Sequence, residues 1–537
     1  MLRITELKLP LDHPDEDLRT AIVQRLGIAS DDLLDFTLFK RSYDARKKST
    51  ELCFIYTIDL EVRDEARVLA RFADDRNVNV APDVSYKFVG QAPSDLSQRP
   101  IVVGFGPCGI FAGLLLAQMG FKPIILERGT EVRQRTKDTW GLWRKSVLNP
   151  ESNVQFGEGG AGTFSDGKLY SQIKDPKFLG RKVLHEFVKA GAPEEILYVS
   201  KPHIGTFRLT GMVENMREEI RALGGEVRFQ ERVTDVLIED GQLVGVELAS
   251  GEVLHSKHVI LALGHSARDT FRMLHSRGVF MEAKPFSVGF RIEHPQSLID
   301  RARLGKYAGH PKLGAADYKL VHHAKNGRSV YSFCMCPGGT VVAATSEPNR
   351  VVTNGMSQYS RNERNANSGI VVGITPEVDY PGGPLAGIEL QERLESHAFI
   401  LGGSDYKAPA QLVGDFINGT PSTELGEVEP SYKPGVALGD LALALPEFAI
   451  EAIREALPAF EKQIRGYSLH DAVLTGIETR TSSPLRITRN ESLQSLNVKG
   501  LFPAGEGAGY AGGILSAGVD GIRIAEAVAR DILGLEA

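Results

Sequence analysis

Pro100-Ile101-Val102-Val103-Gly104-Phe105-Gly106-Pro107-Cys108-Gly109 sets three glycines at G-x-G-x-x-G spacing directly after an apolar run of buried-strand type. Residues 110–119 then have helical length and composition, and a second apolar run, 123–126, ends in Glu127, about 20 residues beyond the last glycine. Strand, turn, helix, strand and acid fall in the order of a dinucleotide-binding βαβ unit. Gly104 permits the tight turn, Gly106 lets backbone approach a pyrophosphate, and Gly109 lets helix and strand pack closely. The helix N-terminus offers free N–H groups and a positive dipole end to the phosphates. A carboxylate at 127 suits a free ribose 2′-hydroxyl and disfavours NADP.

Two more glycine clusters lie far from the first. In the third, Leu501-Phe502-Pro503-Ala504-Gly505-Glu506 is a short strand ending in an acid, and residues 512–533 read as a helix with Leu515, Gly518, Ile522, Ala525, Ala529 and Ile532 on one face. This element is similar to the late strand-acid-helix of the glutathione-reductase class of flavoproteins, which implies FAD as the cofactor. By that resemblance Glu506 takes the ribityl hydroxyl, and the amides near Gly513 and Ile514 face flavin N1 and the C2 carbonyl, where the helix dipole favours the reduced ring. The middle cluster, Gly157-Glu158-Gly159-Gly160-Ala161-Gly162, repeats the glycine spelling without a preceding apolar strand. It reads as a loop laid against the flavin, with Lys168 near the ring. The expected cofactor contacts are Gly104, Gly106, Pro107, Cys108, Gly109, Glu127 and Arg128 from the first unit, Gly159, Gly160, Gly162 and Lys168 from the second, Val233 and Gly264 from the strands between, and Gly505, Glu506, Gly512, Gly513 and Ile514 from the third.

The chain has 537 residues, 42% hydrophobic and 24% charged, which fits a large globular enzyme of two or three domains. A net charge of −6 speaks against a nucleic-acid or membrane role for the whole chain. Four cysteines are too few for a disulfide framework, and residues 1–7 lack the charged and apolar regions of a signal peptide, so a cytoplasmic setting is expected. Residues 101–121 carry no charge, but their glycines and strand-then-helix character make them a buried βα unit, not a membrane span. No metal site is read.

The first 95 residues form their own pattern: strand 1–8, helix 15–26, strands 35–42 and 51–62, helix 64–73 and strand 79–89. This βαββαβ order predicts an α+β ferredoxin-like module, followed by a linker over 91–100. An α/β, doubly wound, three-layer Rossmann domain follows over 98–282, with a helix at 210–223 and a strand ending at Gly264. A mixed α/β substrate domain is inserted over 283–465, with strands 286–292, 329–334, 341–345 and 369–374 and helices 385–401 and 448–460, before the FAD fold returns over 466–537.

The segments 41–46, 156–169, 284–295, 354–357, 366–368 and 476–484, with the final glycine cluster, together resemble the bacterial and plastid family of FAD-dependent dehydrogenases over nearly the whole length. The resemblance implies the split FAD-binding fold, FAD, and an oxidoreductase acting by hydride transfer at flavin N5 on a small or medium substrate. That family has an acid after Ile-Gly-Thr, where this chain has Phe207.

Reaction residues are less marked. Lys168, His265, Glu478 and Arg480 are the catalytic candidates; Arg480 suits a substrate carboxylate or phosphate, though an internal Glu-Arg pair explains the same letters. His203, His322 and His323 join His265 as possible proton donors. Cys334-Met335-Cys336 lacks C-x-x-C spacing and reads as buried strand cysteines. No second strand-glycine-helix unit is present for a dedicated nicotinamide domain, so reduction comes from the substrate, from transiently bound NAD(P)H, or from a redox partner protein. An alternative is an FAD protein that binds or modifies RNA, using the basic stretch 40–48 of the N-terminal module.

Overall fold

Five short parallel strands form the centre of the molecule, in the spatial order Leu501–Pro503, Val259–Leu261, Ile101–Val103, Ile124–Glu127, Glu226–Phe229. The order reverses at Ile101–Val103, the switch point beside which a doubly wound sheet binds its nucleotide. This computed structural model describes residues 1–43 and 51–536, so Arg46, Lys47 and Lys48 of the basic stretch lie outside the described residues.

The strands are apolar throughout because both faces are covered. Val102, Ile125, Ile260 and Phe502 pack on the helices Pro107–Gln118, Thr206–Ala222 and Ile514–Leu533. Ile101, Val103, Leu126, Val259 and Leu261 face a three-stranded meander, Val233–Glu239, Gln242–Leu248 and Val253–His255, and the helix Arg268–Ser276. Three layers result. Helix Ile514–Leu533 is buried nearly all round, and the single apolar face expected for it is a correction: Leu515 and Ile532 are only partly buried, whereas Ser516, Asp520 and Glu526 are buried. The helix is enclosed between helices Pro107–Gln118 and Leu179–Lys189, so more than one side is covered.

The N-terminal module is a four-stranded antiparallel sheet in the order Leu33–Tyr43, Cys53–Val62, Leu2–Pro10, Val78–Val80, with its own core of Leu2, Ile4, Ile22, Ile58 and Leu60. Its last strand stops at Val80, not at 89. From 81 onward the chain leaves the sheet to lie on the Rossmann helices, where Tyr86 donates to Glu526 at 2.9 Å and Val89, Ala92 and Leu96 pack.

A seven-stranded mixed sheet forms the inserted unit, in the order Val321–His323, Ser329–Cys336, Asn365–Ile374, Phe286–Pro295, Val473–Glu478, Ala408–Leu412, Val436–Leu438. Helices Ala386–Leu401 and Glu447–Glu461 share its core. The boundary expected at 465 is displaced, because Val473–Glu478 pairs between Phe286–Pro295 and Ala408–Leu412 in this sheet. The segment 128–178 bridges the units: Trp143 and Phe164 meet edge to face at 5.9 Å and belong to the inserted unit's core.

Candidate functional site

The three glycine clusters interlock around one cavity. A Cβ at Gly160, whose φ is +62°, would lie 2.8 Å from the Cα of Gly106, one at Gly162 would lie 3.0 Å from Ile514 Cγ1, and one at Gly505 would lie 2.9 Å from Cys108 Cβ. First and second clusters therefore touch backbone to backbone, and each reaches the third. Gly104 (φ +105°) shows why the first turn needs glycine: a Cβ there would sit 2.4 Å from the carbonyl oxygen of Ala262.

Buried charges fix these loops. Glu127 accepts from the backbone N–H groups of Phe105 (3.0 Å), Gly129 (2.8 Å) and Gly157 (2.9 Å), tying first and second clusters to one carboxylate. Arg135, fully buried, donates to the carbonyls of Asn153, Val154 and Glu158 and is the post around which the middle loop turns. Burial lowers its pKa to about 10. The Glu158 side chain accepts from Val132 N–H at 2.8 Å and Arg217 at 2.9 Å, and burial raises its pKa to about 7. Asp520 accepts from Arg489 (2.6 and 3.0 Å) and from Gly505 N–H (2.8 Å), holding the third turn.

The cavity they enclose measures about 410 Å³. Of the expected cofactor residues, Gly104, Gly106, Pro107, Cys108, Glu127, Arg128, Gly160, Gly162, Lys168, Val233, Gly264, Glu506, Gly512, Gly513 and Ile514 line it. Gly109, Gly159 and Gly505 do not; they pack behind the wall, where Cβ atoms would lie 2.0 Å from Gly104 O, 2.1 Å from Thr163 Oγ1 and 2.9 Å from Cys108 Cβ. Arg128 is committed to Glu151 (3.0 Å) and Asp269 (2.8 Å) and stacks on Phe156.

The reaction candidates separate. Arg480 lines the cavity, yet its five N–H donors are all taken: Nε by Glu395, Nη1 by Ser266 and Ser346, Nη2 by Glu347 and Glu395. It has no donor left for a substrate anion, which corrects that expectation. Glu478 does not line the cavity; it is buried 3.4 Å from Arg291, and burial raises its pKa to about 7. His265 lines the cavity beside Ser266 Oγ (3.1 Å) and Glu506 (4.0 Å), but burial and the charges of Arg480 and Arg268 lower its pKa to about 3. It is a neutral ring at physiological pH, not an imidazolium donor. His203 is stacked on Tyr359 and bonded to its carbonyl oxygen, His322 pairs with Glu455, and His323 pairs with Ser329; none lines the cavity. Lys168 lines it, donates to the Met335 carbonyl, and lies 3.8 Å from the buried Asp166.

Several lining residues carry no signal in the sequence. Asp166 and Tyr170, Asn354, and Thr481 reach the cavity from three separate segments. Asp166, Asn354 and Thr481 fall in segments that carry the family resemblance, but nothing local aims them inward. Cys334 also lines the cavity and is only partly buried, against the expectation for a strand cysteine. The cause is a register slip between Phe333 and Cys336, with φ of +44° at Cys334, which breaks the alternation of the strand.

The residues fit FAD. Helices Pro107–Gln118 and Ile514–Leu533 both begin at the cavity with glycine N-caps, Gly106 and Gly513, and neither has a side-chain cap or an acid in its first turn. Two uncapped positive helix ends suit a pyrophosphate and the electron-rich edge of a flavin. Glu506 stands beside the second end, with its pKa raised to about 7 by burial.

A family model described as FAD-dependent protein, C-terminal domain-like, matches residues 285–481, the span from the strand Phe286–Pro295 to the cavity residue Thr481. A model for a domain of unknown function matches residues 1–61. An uncharacterized protein of Clostridium beijerinckii is 49% identical over 527 residues, 98% of this chain and 98% of that protein. Among solved structures, L-amino acid deaminase from Proteus vulgaris aligns with 84% of this chain and 97% of its own at 11% identity and a TM-score of 0.36. Glycine oxidase from Geobacillus kaustophilus aligns with 81% of this chain and 95% of its own at 11% identity and a TM-score of 0.34. Among the described residues no helix is long and apolar enough to cross a membrane.

Proposed function

The chain belongs to the family of the clostridial protein, a family of FAD-dependent proteins, and from that premise we propose an oxidoreductase that acts on a small or medium-sized molecule admitted to the described cavity. FAD is its cofactor. One observation carries the reading: two uncapped helix N-termini and Glu127 wall the same cavity as Phe333, Cys334, Asn354 and Thr481 of the inserted unit.

FAD, when bound, supplies a two-electron centre that exchanges hydride at N5. The protein's own residues bind and orient. The N-terminus of helix Pro107–Gln118 takes the pyrophosphate, Glu127 the adenosine ribose, and Glu506 the ribityl chain. The N-terminus of helix Ile514–Leu533 favours extra electron density at the ring edge. Lys168 keeps its proton because the neighbouring Cys334 and Asp166 charges outweigh burial, and it places a positive charge on the cavity wall.

Purified protein is expected to be yellow and to release FAD on denaturation; a colourless preparation carrying NAD overturns the reading. Anaerobic mixing with NADH and with NADPH then identifies the electron source. Bleaching of the flavin bands by either assigns a nicotinamide donor, and no bleaching by both assigns the role to the substrate or a partner protein.

A further inference from the structure

The cysteine pair of strand Ser329–Cys336 has no part in binding FAD or admitting the substrate. Cys334 opens on the cavity, and Cys336, fully buried, packs behind it with Sγ 3.3 Å from the Cys334 carbonyl oxygen. A regular strand sends residues i and i+2 to one face side by side, without turning them toward each other. Here the left-handed φ of Cys334 and the register slip contract the segment and fold the Cys336 thiol back onto the Cys334 carbonyl oxygen.

The contracted segment is held from two sides. Arg291, fully buried, donates to the carbonyls of Phe333 (3.1 Å) and Cys334 (2.9 Å), while Lys168 donates to that of Met335. Two cations therefore flank two sulfurs. Arg291 Nε is ion-paired with Glu478 at 3.4 Å, while both amide atoms of the fully buried Asn367, the register partner of Cys336, have no hydrogen-bond partner.

We propose that Cys334 and Cys336 form a second redox centre, a dithiol that closes to an intrachain disulfide by exchanging an electron pair with FAD in the cavity that Cys334 lines. In the oxidising direction the Cys336 S–H bond breaks, the Cys334 thiolate and the Cys336 sulfur form one S–S bond, and two electrons and one proton pass to oxidised FAD, giving the anionic reduced FAD. The reverse step returns them and reopens the dithiol. Cys334, which lines the cavity, is the sulfur placed to react: the neighbouring Cys336 thiol and the charges of Lys168 and Arg291 hold its pKa below the ordinary thiol range against burial, while Cys336 is pushed up.

The proposal rests on FAD occupying this cavity, and its test separates the two. Holoprotein is titrated anaerobically with dithionite, and oxidised and reduced samples are alkylated and digested to follow the peptide carrying Cys334 and Cys336. The expected electron uptake per FAD is twice that of Cys336→Ser, and the peptide from oxidised protein is two hydrogens lighter and unalkylated; Cys53→Ser keeps the doubled uptake. The wild-type titration decides even where Cys336→Ser does not fold. Yellow protein that takes one electron pair per FAD, with both cysteines alkylated in the oxidised state, overturns the thiol pair and leaves the FAD reading intact. Protein without FAD overturns both.

Discussion

At the scale of single residues, Glu127 joins two tasks, since its carboxylate lines the cavity and also accepts from three backbone N–H groups, one in each of two glycine loops and one at Gly129. Removing it leaves buried donors unpaired, each costing about 1–3 kcal/mol. Glu127→Ala is therefore expected to lose on the order of 3 kcal/mol of stability in denaturant unfolding and at least about tenfold in FAD affinity by apoprotein titration. Unchanged affinity in a folded variant would place the ribose elsewhere. Glu478 carries a pH prediction. Its pKa rises from 4.5 to about 7 through burial, opposed by Arg291, so the folded state holds a proton that the unfolded state releases. Stability from this group is present below its unfolded pKa and falls as pH rises toward 7. In Glu478→Gln the decline of melting temperature between pH 5 and 7 is expected to be shallower than in the wild type, whatever the absolute cost of depriving Arg291 of its partner. Arg480 marks what local sequence did not disclose: its partners Ser266, Ser346, Glu347 and Glu395 stand 85 to 214 residues away, and only their convergence shows that no donor is left over.

Elements meet here through glycine, and the meeting points differ in tolerance. Gly521, inside helix Ile514–Leu533, would place a Cβ 2.3 Å from the Cys108 carbonyl oxygen of helix Pro107–Gln118, whereas Gly211 in helix Thr206–Ala222 is exposed with nothing within 4 Å. Gly521→Ala is expected to push apart the two helices whose N-termini wall the cavity, lowering stability by about 1–3 kcal/mol and weakening FAD retention. Gly211→Ala is expected to raise stability by about 0.5–1 kcal/mol, because alanine improves an exposed helix. Thermal unfolding with and without added FAD reads both; equal effects from the two substitutions would refute the packing argument. These helices and their strands were legible because strand, turn and helix are adjacent in the chain, so their periodicities and glycines sit in one window. The seven-stranded sheet was legible only as separate strands. Val473–Glu478 finds its partners at Phe286–Pro295 and Ala408–Leu412, and pairing across such distances leaves no local mark. Cys334 was misread for the opposite reason: a purely local kink, φ +44°, overrides the alternation that the letters imply.

On the scale of the whole molecule, one buried charge cluster joins the flavin fold to the inserted unit. Arg268 begins helix Arg268–Ser276 on the Rossmann side, Glu395 lies on helix Ala386–Leu401, and Arg480 follows strand Val473–Glu478. Glu395, fully buried, accepts from Arg268 at 2.8 and 2.9 Å and from Arg480 at 3.0 and 2.9 Å, with Thr479 adding a bond at 2.7 Å. Burial alone would raise its pKa, but the two guanidinium groups outweigh it and hold the carboxyl well below the ordinary range. The sign follows: this stability is present above the unfolded carboxylate pKa near 4.5 and is lost as pH falls through the lower folded value. Removing one partner of a buried pair leaves charge uncompensated and costs about 3–5 kcal/mol. In Glu395→Ala only the half-buried Glu347 is left to balance the two guanidinium groups across the boundary between units, so the penalty falls on their association more than on either core. Calorimetry at pH 7 is expected to show one transition for wild-type holoprotein and two for Glu395→Ala, the lower one accompanied by release of FAD, because the cavity is walled by both units. Glu395→Gln should fall between them and lose the wild type's extra sensitivity to acid. A single, undisplaced transition in Glu395→Ala would assign the coupling of the units to the apolar contacts of segment 128–178 instead.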